Sequence, residues 1–251
     1  MKKLTAAIAA FLILIACAAC TVENAVLKEI KTYEITSEIH SLDIQINAAD
    51  FKIQQADGFS VESNLKHLSV SEKDGVLTII DEAKSNSTYI NPILTLYVPE
   101  GFVFNTVDIA TGAAKLTADT LSADWVELDL GAGDVRFENL NAAVEADIQG
   151  GAGQITIASG TINDLSLEMG VGEMNLCAAL RGNSNLEFGV GTYQLTLLGS
   201  KEDYRVEIEK GLGSITVDGT DVLGFDSIGN GQNHVEIEGG VGTIQIAFRE
   251  A

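Results

Sequence analysis

Gly150-Gly-Ala-Gly-Gln154 has the glycine spacing of a calcium-binding nonapeptide turn, GGxGxD. That chemistry needs an aspartate two residues past the last glycine, repeated in register so that successive turns supply carboxylate ligands. Here the slot holds Ile155, and related segments also place apolar residues there. The residue directly after the glycines is variable: Lys115, Asp134, Gln154, Glu173, Thr192, Ser214 and Thr243. A calcium ladder is therefore not expected. The same glycines could cradle a dinucleotide phosphate only at the start of a helix, and no helical pattern follows any of them. His40, His67 and His234 are far apart and lack metal-ligand spacing. Ser159 and Ser200 sit in turn sequences without a nucleophile elbow. Cys177 occupies a slot held in other repeats by Glu138, Ala158, Thr196 and Asp218, which marks it as structural rather than reactive. Paired carboxylates for glycoside cleavage would suit an acidic surface. However, β-helix enzymes of that kind wall a groove with long loops, and most repeats here are tight. No catalytic residue, metal or cofactor is expected, and the chain does not read as an enzyme.

The glycines belong to a repeat. Seven glycine-x-small steps interrupt alternating apolar stretches: TGAAKLTA from Thr111, GAGDVRF from Gly131, GAGQITI from Gly151, GVGEMNL from Gly170, GVGTYQL from Gly189, GLGSITV from Gly211 and GVGTIQI from Gly240. Through Gly189 they recur about every nineteen residues, the mark of a solenoid in which each repeat stacks on the last. Three residues before the first glycine the position is always aliphatic: Ile109, Leu128, Ile148, Leu167, Leu186, Ile208 and Ile237. Four and six residues after it the positions are again apolar, as in Ile155 and Ile157 or Tyr193 and Leu195. From three before to four after is an odd step, so the inward parity flips at the glycine corner. Glycine suits that point because it reaches positive φ, or allows close backbone approach, at little steric cost. Leu42 to Ile53 fits the same template with Asn47 at the first glycine position, and reads as a degenerate first coil.

These features predict an all-β chain: a parallel β-solenoid of about eight short coils. The 251 residues include 25 Gly, 2 Pro and a single Trp, and Val, Ile, Leu and Thr dominate the strands. Phe59 to Asp81 reads as a strand pair joined by Lys73-Asp74-Gly75, and with Ile93 to Val98 it predicts an N-terminal antiparallel β cap. The last strand, Thr243 to Phe248, runs almost directly into the C-terminus. Its edge is expected to be tilted out of reach or used for end-on self-association. Residues 35–251 form the solenoid domain in this reading, with 35–105 as first coil and cap and 106–251 as regular coils.

The spacing breaks twice, between Gly189 and Gly211 and between Gly211 and Gly240. The extra residues fall in Gly199–Arg205 and in Asp218–His234. Insertions in a solenoid map to flanking loops, where function concentrates. Tyr204, Arg205, Asp221, Phe225 and Asp226 are therefore the candidate ligand-binding residues.

Met1-Lys-Lys followed by the apolar run Leu4–Ala16 is a secretory signal, too short for an ordinary membrane span. It ends in Leu14-Ile15-Ala16-Cys17, the pattern of a bacterial lipobox, with Cys20 as the alternative lipidation site. A plain signal cleaved after Ala18 or Ala19 remains open. The lipid reading gives a lipoprotein signal peptide at 1–16, a tether at 17–34 and an extracytoplasmic protein anchored to a membrane it does not span. The formal charge is −21, and loss of Lys2 and Lys3 makes the mature chain two charges more negative. Nucleic acid and anionic lipid surfaces are poor partners for such a chain.

Leu94-Thr-Leu-Tyr-Val-Pro-Glu-Gly-Phe102, followed by Val107-Asp-Ile-Ala-Thr-Gly-Ala-Ala114, resembles the bacterial putative-adhesin family of β-strand-repeat proteins. There a Val-Pro-x-Gly step precedes the run of strand–Gly-x-Gly–strand coils. The similarity extends from roughly residue 35 to the C-terminus. It implies a right-handed, β-helix-like solenoid at the cell envelope, and brings no catalytic or ligand residues with it. The expected function is a non-enzymatic envelope lipoprotein for adhesion or scaffold binding to polymer or protein partners. The alternatives are an accessory protein of envelope-stress signalling and, more weakly, a carbohydrate-active enzyme.

Overall fold

The computed structural model describes residues 23–224 and 226–250. Fifteen strands join in one sheet. They are β1 Val26–Glu34, β2 Ser41–Ala56, β3 Ser60–Leu65, β4 Leu68–Lys73 and β5 Val76–Asp81. Next come β6 Ile93–Pro99, the long β7 Phe104–Ile157, β8 Gly160–Asn163, β9 Leu165–Arg181 and β10 Asn183–Leu198. After the 3-10 turn Lys201–Asp203 follow β11 Tyr204–Glu209, β12 Leu212–Val217, β13 Thr220–Val222, β14 Asp226–Ile228 and β15 Asn233–Arg249. The chain is all-β, as the alternating pattern requires.

Long strands that turn corners are possible here because the alternation changes phase at each Gly-x-Gly step. In β9, Leu165, Leu167 and Met169 are buried, Gly170 and Val171 are both exposed, and Met174, Leu176, Ala178 and Leu180 are buried again. Successive coils pair in parallel and in register. Gly172 lies opposite Gly191, Gly191 opposite Gly242, and Gly242 opposite Gly213. The aliphatic positions stack in the same way, with Ile148 on Leu167, Leu167 on Leu186, Leu186 on Ile237 and Ile237 on Ile208. Each of these side chains is essentially inaccessible. The core is therefore a set of continuous aliphatic ladders, not a central cluster.

The corners admit only glycine at key places. A Cβ on Gly172 would lie 1.9 Å from the carbonyl oxygen of Gly153, and one on Gly153 would lie 2.0 Å from that of Gly133. Gly153 and Gly172 also have φ of +134° and +142°, where side chains are strained. Beside them the inward column mixes sizes, with Gly150, Met169, Phe188 and Gly239 on successive coils. Met169 and Ile155 fill the space next to Gly150, and the rings of Phe188 and Tyr193 stack at 4.3 Å one coil further. Met169 and Ile155 thus supply the bulk that Gly150 lacks, and Ile215 and Ile244 do the same at Gly239.

Both ends carry antiparallel strands. At the N-terminal end β5 and β6 continue the parallel stack on β2, while β4 pairs antiparallel with β5 and β3 with β6. The hairpin turn at Asp74-Gly75, both at positive φ, falls where the sequence places it. Asn47, standing at the first glycine position, donates from Nδ2 to the backbone oxygen and to Oδ2 of Asp81, so its side chain ties β2 to the end of β5. Tyr89 donates to the same carboxylate at 2.6 Å, and burial, together with this carboxylate, pushes its phenol up to about 12.

Two expectations need correction. Val26–Glu34 falls in the stretch read as tether, yet it forms β1 and pairs antiparallel with β3. Its mostly exposed side chains hide it from a burial pattern, because its partner is met through the backbone. Second, the C-terminal strand is not a free edge. β15 lies between β10 on one side and β11 and β12 on the other. The coil at Gly211 is therefore the outer one, and the later coil at Gly240 is inserted beneath it. Residues 218–232 make the return possible and supply β13 and β14, which pair antiparallel with β12 and β11. The edge that the sequence left open is covered on both sides.

Replacing Gly172 by alanine is expected to destabilise the domain by about 3 kcal/mol or more, through backbone overlap and strain. Val171→Ala, one residue away and exposed, should shift stability by no more than about 0.5 kcal/mol. Urea unfolding midpoints of the two variants check the contrast.

Candidate functional site

Because like stacks on like, outward side chains form rows. Two residues before each first glycine, Gln149 pairs with Glu168, Glu168 with Glu187, Glu187 with Glu238 and Glu238 with Glu209. Asp129 holds the equivalent place one coil before Gln149. Two residues earlier in each coil runs a second row that includes Asp147, Glu236 and Glu207, with Asp43 opposite Asp108 near the N-terminal end. Past the corner, the outward residues of β9 and the later coils are mostly uncharged, as at Asn175, Thr192, Gln194, Thr243 and Gln245, with Glu173, Arg181 and Arg249 as charged exceptions. The acidic composition is thus concentrated on one strand face of these coils.

A groove of about 500 Å³ follows this face along the corner. Asp129, Glu168, Glu187 and Glu238 line it, together with Met169, Phe188 and the first glycines of the corners. Its wall is anionic, and the glycines leave backbone at its floor. Crowding of like charge is visible in Asp108, whose carboxyl is raised above the ordinary aspartate range by burial, then by the Asp43 and Asp129 charges. Two arginines pair with carboxylates two residues along their own strands, Arg136 with Glu138 and Arg205 with Glu207. Among the described residues no group of three or more His, Cys, Asp or Glu is arranged to hold a metal ion. Adjacent rungs are spread along the stack, so their carboxylates do not converge on one point.

The residues singled out from the sequence do not form this groove. Tyr204 is 1% exposed, packs against Phe248 and donates its hydroxyl to the backbone oxygen of Leu198 at 2.6 Å, so it is a core residue. Arg205 is spent on Glu207. Asp221 lies on β13 opposite Thr216, and Asp226 on β14 opposite Ile208, on separate strands of the outer end. Phe225, Cys17 and Cys20 lie outside the described residues. Cys177 is half-buried and accepts a hydrogen bond from the Arg249 guanidinium at 2.9 Å. The glutamate row was missed, although its signal is in the sequence. With the repeats set on their first glycine, the second residue before it reads Asp129, Gln149, Glu168, Glu187, Glu209 and Glu238.

Residues 31–247 match the family model described as Toastrack DUF4097. The chain belongs to this family. Several proteins of known structure resemble it at low identity. A putative adhesin from Bacteroides fragilis matches with a TM-score of 0.50 at 16% identity, over 87% of this chain and 97% of that one. A putative adhesin from Parabacteroides distasonis gives 0.47 at 15%, over 90% and 99%. A putative lipid binding protein from the same species gives 0.40 at 14%, over 88% and 98%. No curated protein matches the chain. These likenesses concern fold, and the Bacteroides fragilis protein carries that comparison. Among the described residues of this Toastrack chain, no helix is long and apolar enough to cross a membrane.

The raised Asp108 pKa gives a signed pH dependence. Its folded-state value lies above the unfolded one, so its contribution favours the fold at low pH and is lost as pH rises through the folded value. Asp108→Asn is therefore expected to melt at a higher temperature than wild type at pH 7. The difference should close as pH falls below the ordinary value of 3.8. Thermal melts of both proteins across that range check it.

Proposed function

We propose that this chain is a cell-envelope binding module that acts by presenting a surface rather than by catalysis. In this reading a right-handed β-solenoid of about eight coils is held on the outer side of a membrane by lipid on Cys17, or alternatively Cys20. It binds envelope polymer or protein partners as an adhesion or scaffold element. One observation carries the reading: carboxylates stacked along a single face border a groove that runs across several coils. Such an arrangement suits an extended partner better than a small substrate, because the same contact is offered repeatedly along the stack. The putative-adhesin relatives of the fold point the same way.

Saturable retention of the purified chain on isolated cell-wall material, tested with and without calcium, is the expected result. No retention in either condition overturns polymer binding. For the anchor, Cys17→Ser is expected to release the chain from the membrane fraction while Cys20→Ser leaves it bound. The reverse pattern moves the lipid to Cys20, and membrane retention by the double variant removes the lipid anchor from the reading.

A further inference from the structure

The residue between the first glycine of each corner and the small residue that closes it changes character along the stack. It is alanine at Ala113, Ala132 and Ala152, and then Val171, Val190, Val241 and Leu212. The last four are in register: Val171 pairs with Val190, Val190 with Val241, and Val241 with Leu212. They are 55%, 50%, 48% and 75% exposed, respectively. Single exposed aliphatics are ordinary, but four aligned on neighbouring coils make a continuous apolar ridge. Each ridge residue follows the first glycine of its corner, and Glu168, Glu187 and Glu238, two residues before that glycine, line the groove, with Glu209 continuing their row. A further group faces this corner. Tyr193 is 1% exposed, its hydroxyl has no partner, and it lines the crevice bordered by Leu212 and Val241.

We infer that this corner is a docking surface for a basic amphipathic helix, whose Lys or Arg side chains meet the glutamate row while its apolar side chains cover the Val-Leu ridge. The inference rests on the reading of the chain as a binding module, and names its partner class. Charge complementarity selects the occupant. A second copy of this chain would bring its own acidic rows, at a net charge of −21, against the first. Anionic lipid is opposed by the same charge. A glycan would use aromatic platforms, and this ridge is aliphatic. A helix lying along the stack also fits the spacing. Its pitch of about 5.4 Å nearly matches the strand spacing of about 4.8 Å. Over four coils the drift of about 2 Å is within reach of long cationic side chains. Apolar anchors spaced about one turn apart are the usual contacts of such a helix.

The test uses the full-length chain and a labelled 18-residue helical peptide of Lys, Leu and Ala, with binding read by fluorescence anisotropy. Glu168→Gln/Glu187→Gln/Glu238→Gln is expected to weaken binding by about tenfold, three surface ion pairs each contributing roughly a factor of two. Val190→Ser/Val241→Ser/Leu212→Ser should weaken it comparably. Asp119→Asn/Asp134→Asn/Glu138→Gln removes equal charge away from the ridge and should leave affinity within about twofold. Thermal melts verify folding; the glutamate variant should be at least as stable as wild type, since it relieves like-charge repulsion. Equal loss in all three variants, no loss in the ridge variant, or equal binding of a peptide with Ser in place of Leu each overturns the inference. If peptide binding fails while cell-wall retention persists, this surface assignment falls and the binding-module reading stands. If both fail, both fall.

Discussion

The close approach of backbone to backbone at the stacked corners is the constraint on which the molecule depends. A glycine of one coil sits over a carbonyl of the next with no room for a side chain, and this repeats from Gly133 through Gly153 and Gly172 to Gly191. The contact does two things at once. It lets a strand reverse the phase of its alternation within three residues, so that both of its arms face one core. It also locks adjacent coils in register, because a one-residue slip would place a valine or alanine Cβ where only glycine fits. The aliphatic ladders supply the burial, and the corners decide which residue lies above which.

Register has a cost as well as a benefit. Once Leu167 must lie on Leu186, Glu168 must lie opposite Glu187, since outward residues follow the same order. A chain this acidic therefore stacks carboxylates, and the Asp108 carboxyl is raised first by burial and then by the neighbouring Asp43 and Asp129 charges. The rows persist because the interior is held by the aliphatic ladders and the exposed charges are screened by solvent. Segregation of uncharged Thr, Asn and Gln to the other arm gives these coils two unlike faces, with the groove on the acidic one.

The ends show a second use of the stack. A parallel coil finishes with unpaired backbone, and each end of this fold is covered by antiparallel strands laid against a split outer coil. At the C-terminal end the covering coil is made before the coil that it covers. β15 lies between strands that come earlier in the chain, and hydrogen bonds on both of its edges hold the outer coil to the rest.

Within a coil, the amino-acid pattern is sufficient. Period, inward positions, the phase flip at the corner, Asn47 as a glycine substitute and the Asp74-Gly75 turn were all legible, because each depends on residues close in the chain. The candidate site was not, although its glutamates stand at a constant distance from the glycines. A surface row has no meaning until stacking order is known. Tyr204 read as a loop residue because the insertion before it hides the start of β11, and only packing against Phe248 reveals it as core. What the sequence by itself determined was the geometry of one repeat and the identity of its inward face. The tertiary structure alone decided that Gly240 stacks directly on Gly189 and beneath Gly211. It also decided that β1 is an edge strand and that acidic side chains share a groove, because coils with the same pattern are interchangeable locally and only the path of the whole chain chooses their neighbours.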